Sequence, residues 1–187
     1  MNTQYYLGWF TDMFPERLSE VLRQDITDRK SLVMISSTPS DNEADGATER
    51  SWLDHAGIVF ADYHLIDYRV EKDDAHALIQ HASVVFLLGG DTLQQNEFLM
   101  AYGLPECIRK SNIYNGIGLG NFSILSHFDL ENNMALVQNE LSSLSEEMKV
   151  YASNKDCALR IKSDKIDVFE DIYVLSHSKM QKLEEAL

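Results

Sequence analysis

From the first residues to about Gly103, short apolar runs alternate with stretches of helical spacing, which confines the chain to βαβ units around a mainly parallel sheet. Tyr5 to Phe10 is expected as the first strand, followed by a helix over Phe14 to Leu22 with Thr11 or Asp12 available as its cap. Leu32 to Ile35 has the unbroken apolar character of a strand buried on both faces. The Ser, Asp, Pro and Asn residues of Ser36 to Gly46 mark a loop at that strand's C-terminal end. Ala47 to Ala56 then reads as a helix stopped by Gly57. Tyr63 to Val70 predicts another strand and Asp73 to His81 another helix. Val84-Val85-Phe86-Leu87-Leu88 is the clearest buried strand. It runs directly into Gly89-Gly90-Asp91-Thr92 and a helix from near Leu93 to Tyr102.

Beyond Gly103 the rhythm changes. Ile113 to Gly120 is glycine-rich, and Phe122 to Leu125 predicts a short strand ending near His127. Asn132 to Val150 has the apolar spacing of a long amphipathic helix. Ala158 to Ile161, Ile166 to Phe169 and Ile172 to Leu175 read as closing strands joined by tight turns, and Lys179 to Leu187 as a terminal helix or frayed end. Neither a repeat nor a linker interrupts the chain, so residues 1–187 are expected to form a single α/β domain.

Charge narrows the partners. A formal net charge of -14 opposes nucleic-acid binding, which needs Lys and Arg to neutralise phosphates. The acid is spread along the chain and mostly confers solubility. No apolar run approaches the ~20 residues that span a bilayer, so no membrane partner is expected. The opening MNTQYYLGWF has neither a basic region nor a small-residue cleavage site, which makes a cytoplasmic location the default. Cys107 and Cys157 lack CxxC or metal spacing and are expected as buried free thiols. With no HExxH or other close ligand pair among the six histidines, no metal is expected.

A strand that ends in two glycines and then opens a helix lets backbone N–H groups approach a ligand with no Cβ in the way. Gly89 and Gly90 could hold a phosphate, a carboxylate or the oxyanion of acyl transfer, with Asp91 and Thr92 lining the same turn. A plain tight turn capped by Asp91 or Thr92 accounts for the same residues. Gly116-Ile117-Gly118-Leu119-Gly120 contains GxGxG but has no convincing strand before it and lacks P-loop Lys and Ser/Thr, so loop glycines are the expectation there. His127 follows a short strand, at the rim where α/β sites are built.

The stretch VVFLLGGDTLQQ resembles the strand–GGNT–helix segment of the peptidase E and cyanophycinase family of serine peptidases. YNGIGLGNFSILSHFD resembles the later segment that leads to that family's catalytic histidine, and SNKDCALRIK its closing strand. The opening strand, FPERL and a strand ending in Ser-Ser-Thr-Pro also fit, so the resemblance runs in order through nearly the whole chain. It implies a flavodoxin-like, class I glutamine amidotransferase-like parallel sheet with helices on both faces. It also implies His127 as general base and the Gly89 and Gly90 backbone as oxyanion hole, with no cofactor and a short peptide bearing an N-terminal Asp or related acidic residue as substrate.

The chain departs from that pattern at the nucleophile. The family's Ser stands in a G-x-S-A-G-[AG] elbow between the GGNT helix and the histidine segment. Here only Ser111, Asn112 and Ile113 lie between Lys110 and Tyr114, and no G-x-S-x-G occurs anywhere. An elbow at Gly116 to Gly120 would put Gly118 in the serine's position, a register the SHF match opposes. The missing strand would be near the centre of the sheet, leaving its order broken or repaired by Ile113 to Leu119. Either the chain is a shortened, inactive relative, or a segment encoded by the native gene is absent. Ser123 and Ser126 lie near His127 and Asp129 or Asp156 could orient it, while Arg109, Lys110 and Arg160 are the cations available for an acidic ligand. Three readings follow: a serine peptidase, a non-catalytic binding protein on the same fold, and a flavodoxin-like domain of unrelated role.

Overall fold

The computed structural model describes residues 3–41, 46–111, 113–115, 122–125, 128, 141–154, 156–163 and 165–183. The chain divides into two compact units, Met1–Tyr5 with Asp12–Gly116, and Tyr6–Thr11 with Ile117–Leu187.

The first unit takes the opening residues of β1 (Thr3–Leu7) together with β2 (Ser31–Ile35), β3 (Asp62–Ile66), β4 (Val84–Leu87) and β5 (Ile113–Asn115). These strands run parallel in the order β3-β2-β4-β5-β1. Between them lie α1 (Glu16–Asp25), α2 (Ala47–His55), α3 (Lys72–His81), α4 (Thr92–Tyr102) and α5 (Pro105–Arg109). Every residue of β4 is buried, as are Leu32 to Ile35 of β2, which is why both read as continuous apolar runs.

From β1 the chain steps to β2 and on to β3, then returns to β4 and β5. Right-handed crossovers put α1 and α2 on one face and α3 to α5 on the other. Side chains agree with this. The rings of Phe14, just before α1, and Trp52 of α2 pack 5.9 Å apart, and Arg23 of α1 donates to Ala56 O at 3.0 Å. On the opposite face His76 of α3 reaches Tyr102 O at the end of α4 at 2.8 Å. Phe98 and Leu104 are fully buried, and each contributes about 1.5–3 kcal/mol through apolar burial. Gly103, at φ 69°, ends α4: Leu104 N–H returns to Leu99 O and Gly103 N–H to Met100 O, before Pro105 opens α5.

Ile113–Asn115 is a strand, with Tyr114 opposite Gln4 of β1 on one side and Val85 of β4 on the other. The sheet order is therefore repaired from within this segment. Gly116 to Gly120 lie outside the described residues.

The second unit contains β6 (Phe122–Leu125), α6 (Ser142–Glu147), β7 (Lys149–Ser153), β8 (Ala158–Lys162), β9 (Lys165–Phe169), β10 (Ile172–Ser176) and β11 (Lys179–Lys182). Strands β8 and β9 form an antiparallel pair, and a four-stranded sheet runs β11-β10-β7-β6. The long helix expected over Asn132 to Val150 is present among the described residues only as α6, and Lys149 and Val150 belong to β7. Burial on both faces overrides the helical spacing. Tyr151 packs with Tyr6, Leu159, Val168 and Ile172, while Val150 and Ala152 pack with Phe128 and Leu175. Of the segment expected as a terminal helix or frayed end, Lys179–Lys182 is a strand, β11, reached through His177 and Ser178 at φ 48° and 58°. Two positive φ values suit a two-residue hairpin turn. Ser145 of α6 secures it, accepting Ser178 N–H on Oγ at 2.9 Å and His177 N–H on its carbonyl at 3.0 Å.

Because β5 pairs on both sides, Tyr114→Pro removes a backbone donor from the middle of the ladder. We expect loss of the cooperative folding transition, read by circular dichroism during urea titration. A retained transition would show that β5 is dispensable.

Candidate functional site

The direction of the sheet order reverses at β2, whose neighbours β3 and β4 are reached by crossovers of opposite sense. Ligands of open α/β sheets bind at such a point, beyond the carboxyl ends of the strands. Here those ends are Ile35-Ser36-Ser37 and Leu87-Leu88-Gly89-Gly90.

Leu88 N–H extends the ladder by donating to Ile35 O at 3.0 Å, and the chain then turns sharply. Gly90 has φ 139°, and a Cβ there would lie 2.3 Å from Ser37 Oγ. Only glycine fits. Ser37 Oγ in turn donates to Gly89 O at 2.7 Å, locking the two strand ends together. Gln95, nearly buried on α4, donates Nε2–H to Leu88 O at 3.0 Å and to Ile35 O at 3.3 Å. One amide thus satisfies the last carbonyls of both strands and fixes α4 above them. A Cβ on Gly89 would meet nothing within 4 Å, so the turn is open on that side.

Asp91 caps α4. Its Oδ1 accepts N–H from Leu93 and Gln94 at 3.0 Å each, and its Oδ2 accepts from Gln94 Nε2 at 2.8 Å. These bonds, led by the Gln94 backbone N–H, hold the Asp91 carboxyl below its ordinary range. The cap also occupies the donors that would otherwise attract an anion to this helix end. Among the described residues, no acceptor reaches the N–H groups of Gly89 and Gly90, and both residues are exposed. Thr92, the first residue of α4, is exposed beside them.

One strand further out, the fully buried Asp67 follows β3 and grips Arg69. Its Oδ1 accepts Arg69 N–H at 2.8 Å and Nε–H at 3.0 Å, and its Oδ2 pairs with the guanidinium through Nε and Nη2. The hydrogen bonds to Asp67 raise the Arg69 pKa. The guanidinium is half exposed at the same edge of the sheet. Sequence reasoning missed this cation, since a DYRV stretch at a strand's end carries no motif.

The structure brings together Gly89, Gly90, Asp91 and Thr92 as one turn. His127, Ser126 and Asp129 lie outside the described residues, as does the side chain of Ser123. Asp156 accepts from Thr11 N–H at 2.8 Å and from Thr11 Oγ1 at 3.3 Å. Arg109 pairs with Glu106 at 2.7 Å and Arg160 with Asp167 at 2.6 Å. Among the described residues no group of three or more His, Cys, Asp and Glu could hold a metal ion. No described helix is long and apolar enough to cross a membrane.

No family model and no curated protein matches the chain. Among solved structures, the crystal structure of a candidate peptidase E from Listeria monocytogenes EGD-e matches with a TM-score of 0.64 and 13% identity, covering 90% of this chain and 98% of that one. At that identity the likeness is one of fold. The chain has a mixed α/β fold of the kind seen in that peptidase E-like protein.

Gly90→Ala should destabilise the protein by about 3 kcal/mol, through its backbone conformation and the collision with Ser37. In chemical denaturation, adding Ser37→Gly should recover part of the loss; strict additivity of the two changes would refute the interlock. A second expectation concerns pH. The Asp91 carboxyl titrates lower folded than unfolded, so its stabilising effect is present above the ordinary carboxylate range and lost as pH falls through the lowered value. The stability difference between wild type and Asp91→Ala should therefore shrink in acid, and a difference unchanged by pH would exclude the charged cap.

Proposed function

We propose that this protein is a ligand-holding relative of the peptidase E-like hydrolases, which binds a short acidic peptide and does not cleave it. Strand β5 carries the reading. The order β3-β2-β4-β5 matches the first four strands of a flavodoxin-like sheet, extended here by β1. In the hydrolases of this class, the corresponding strand leads into the nucleophile elbow. Here Gly116-Ile117-Gly118-Leu119-Gly120 follows β5, which aligns Gly118 with the serine and overrides the register drawn from the SHF match. Glycine has no hydroxyl to acylate.

The N–H groups of Gly89 and Gly90, unpaired among the described residues, support binding. Asp91 already offsets the positive end of α4, so the turn favours an uncharged carbonyl oxygen over a phosphate. A peptide carbonyl meets that requirement. Arg69, at the end of β3, is the cation we assign to the ligand's carboxylate.

The test is calorimetric titration with an N-terminal-aspartyl dipeptide, alongside an assay for released aspartate. We expect binding without release, and about tenfold weaker binding of the asparaginyl analogue. Release of aspartate that disappears in His127→Ala would identify an active peptidase and overturn the proposal, as would equal affinity for the two dipeptides.

A further inference from the structure

The sequence leads to the expectation that both cysteines are inert buried thiols. Cys157 fits it. It is 1% exposed, burial pushes its thiol pKa up to about 11, and Sγ donates to Asn154 O at 3.2 Å, which keeps the proton on sulfur. Cys107 has different surroundings. It is partly exposed on α5, and its Sγ lies 3.0 Å from His76 Nδ1 on α3.

The second ring nitrogen of His76 determines what the first can do. Nε2 is 2.8 Å from Tyr102 O, and a carbonyl can only accept, so Nε2 carries the hydrogen. In the neutral ring Nδ1 then turns its lone pair to the Cys107 thiol. This is a nucleophile, a base within hydrogen-bond reach and a group that orients the base. The orienting group is rigid because Tyr102 is the last residue of α4. Gly103 follows at φ 69°, and Leu104 N–H closes the helix end onto Leu99 O at 3.0 Å. A Cβ added at Gly103 would lie 3.8 Å from Nε2, so the turn that ends the helix also forms the wall of the pair. Three elements, α3, the end of α4 and α5, converge on these atoms. Capping Tyr102 O would by itself use only one nitrogen of His76; the other is directed at the sulfur.

We propose that Cys107 and His76 form a nucleophilic thiol–imidazole pair that takes up small disulfides as mixed disulfides. His76 Nδ1 receives the Sγ proton as the sulfur attacks one sulfur of a small disulfide. The S–S bond of the reagent breaks, a new S–S bond forms on Cys107, and the departing thiolate takes the proton from His76. Cys107 is oxidised to the mixed disulfide while the departing half is reduced to a thiol, so the disulfide supplies the oxidising equivalents. Partial exposure of Cys107 suits a small reagent better than a protein disulfide. This site and the turn at Gly89 and Gly90 share no residue, so the inference is independent of the peptide-binding proposal.

The test incubates the full chain at pH 7 with 2-hydroxyethyl disulfide and follows adducts by intact mass, with peptide mapping. We expect one adduct, on Cys107. It should form at the wild-type rate in Cys157→Ser, be absent in Cys107→Ser, and form about tenfold more slowly in His76→Gln. The glutamine can still donate to Tyr102 O but offers the sulfur no base. Wild type unfolded in urea gives a second reading without substitution: Cys107 should react more slowly there than in the native chain. Equal rates for wild type and His76→Gln would overturn the proposal. So would faster reaction of unfolded chain, or an adduct on Cys157 in preference to Cys107.

Discussion

Parallel strands satisfy their backbone groups only through neighbours on both sides, so a gap beside β4 would leave two rows of polar groups facing an apolar interior. The three residues of β5 prevent this by pairing with β4 and β1 at once. The buried positions of Tyr5 on β1 and of Val85 and Phe86 on β4 depend on that pairing. The same strand is followed in sequence by Gly116-Ile117-Gly118-Leu119-Gly120. A strand of three residues thus joins β1 to the rest of the first unit's sheet.

The turn after β4 is built with similar economy. Gly90 exists because Ser37 leaves no room for a side chain, and Ser37 is held there by its bond to Gly89 O. Gln95 satisfies the last carbonyls of two strands with one amide, and Asp91 takes the first donors of α4. What the turn leaves over, among the described residues, is two backbone N–H groups on exposed glycines that no acceptor reaches. They can bind an oxygen, whereas acyl transfer would also need a nucleophile beside them.

Much of the first unit was legible in the sequence because burial on both faces writes itself as an unbroken apolar run. Leu32 to Ile35 and Val84 to Leu87 are strands for that reason, and Gly57 and Gly103 stop helices where αL geometry is needed. The Gly89-Gly90-Asp91-Thr92 turn was equally readable. Contacts made across the fold were not. Strand β5 carries three residues and draws its stability from both neighbours, so no local pattern announces it. The β7 and β11 strands lie where helical spacing dominates locally, and Tyr151 and Val150 reveal their opposite faces only once two core clusters receive them. Asp67 with Arg69, and Cys107 with His76, are pairs whose meaning lies in burial and approach; His76 and Cys107 are separated in sequence by most of α3, β4 and α4.

The pairing of Thr3, Gln4 and Tyr5 with Ile113, Tyr114 and Asn115 has a consequence for how the molecule is made. Thr3 to Tyr5, made before the other strands of the first unit, wait for a partner synthesised about a hundred residues later, while β2, β3 and β4 already have one another. Until then these polar and aromatic residues stay without strand partners and open to wrong neighbours. Closing so long a loop is slow, and it comes after the local βαβ units have formed. Thr3 to Tyr5, made before the rest of the first unit, are among its last parts to be secured.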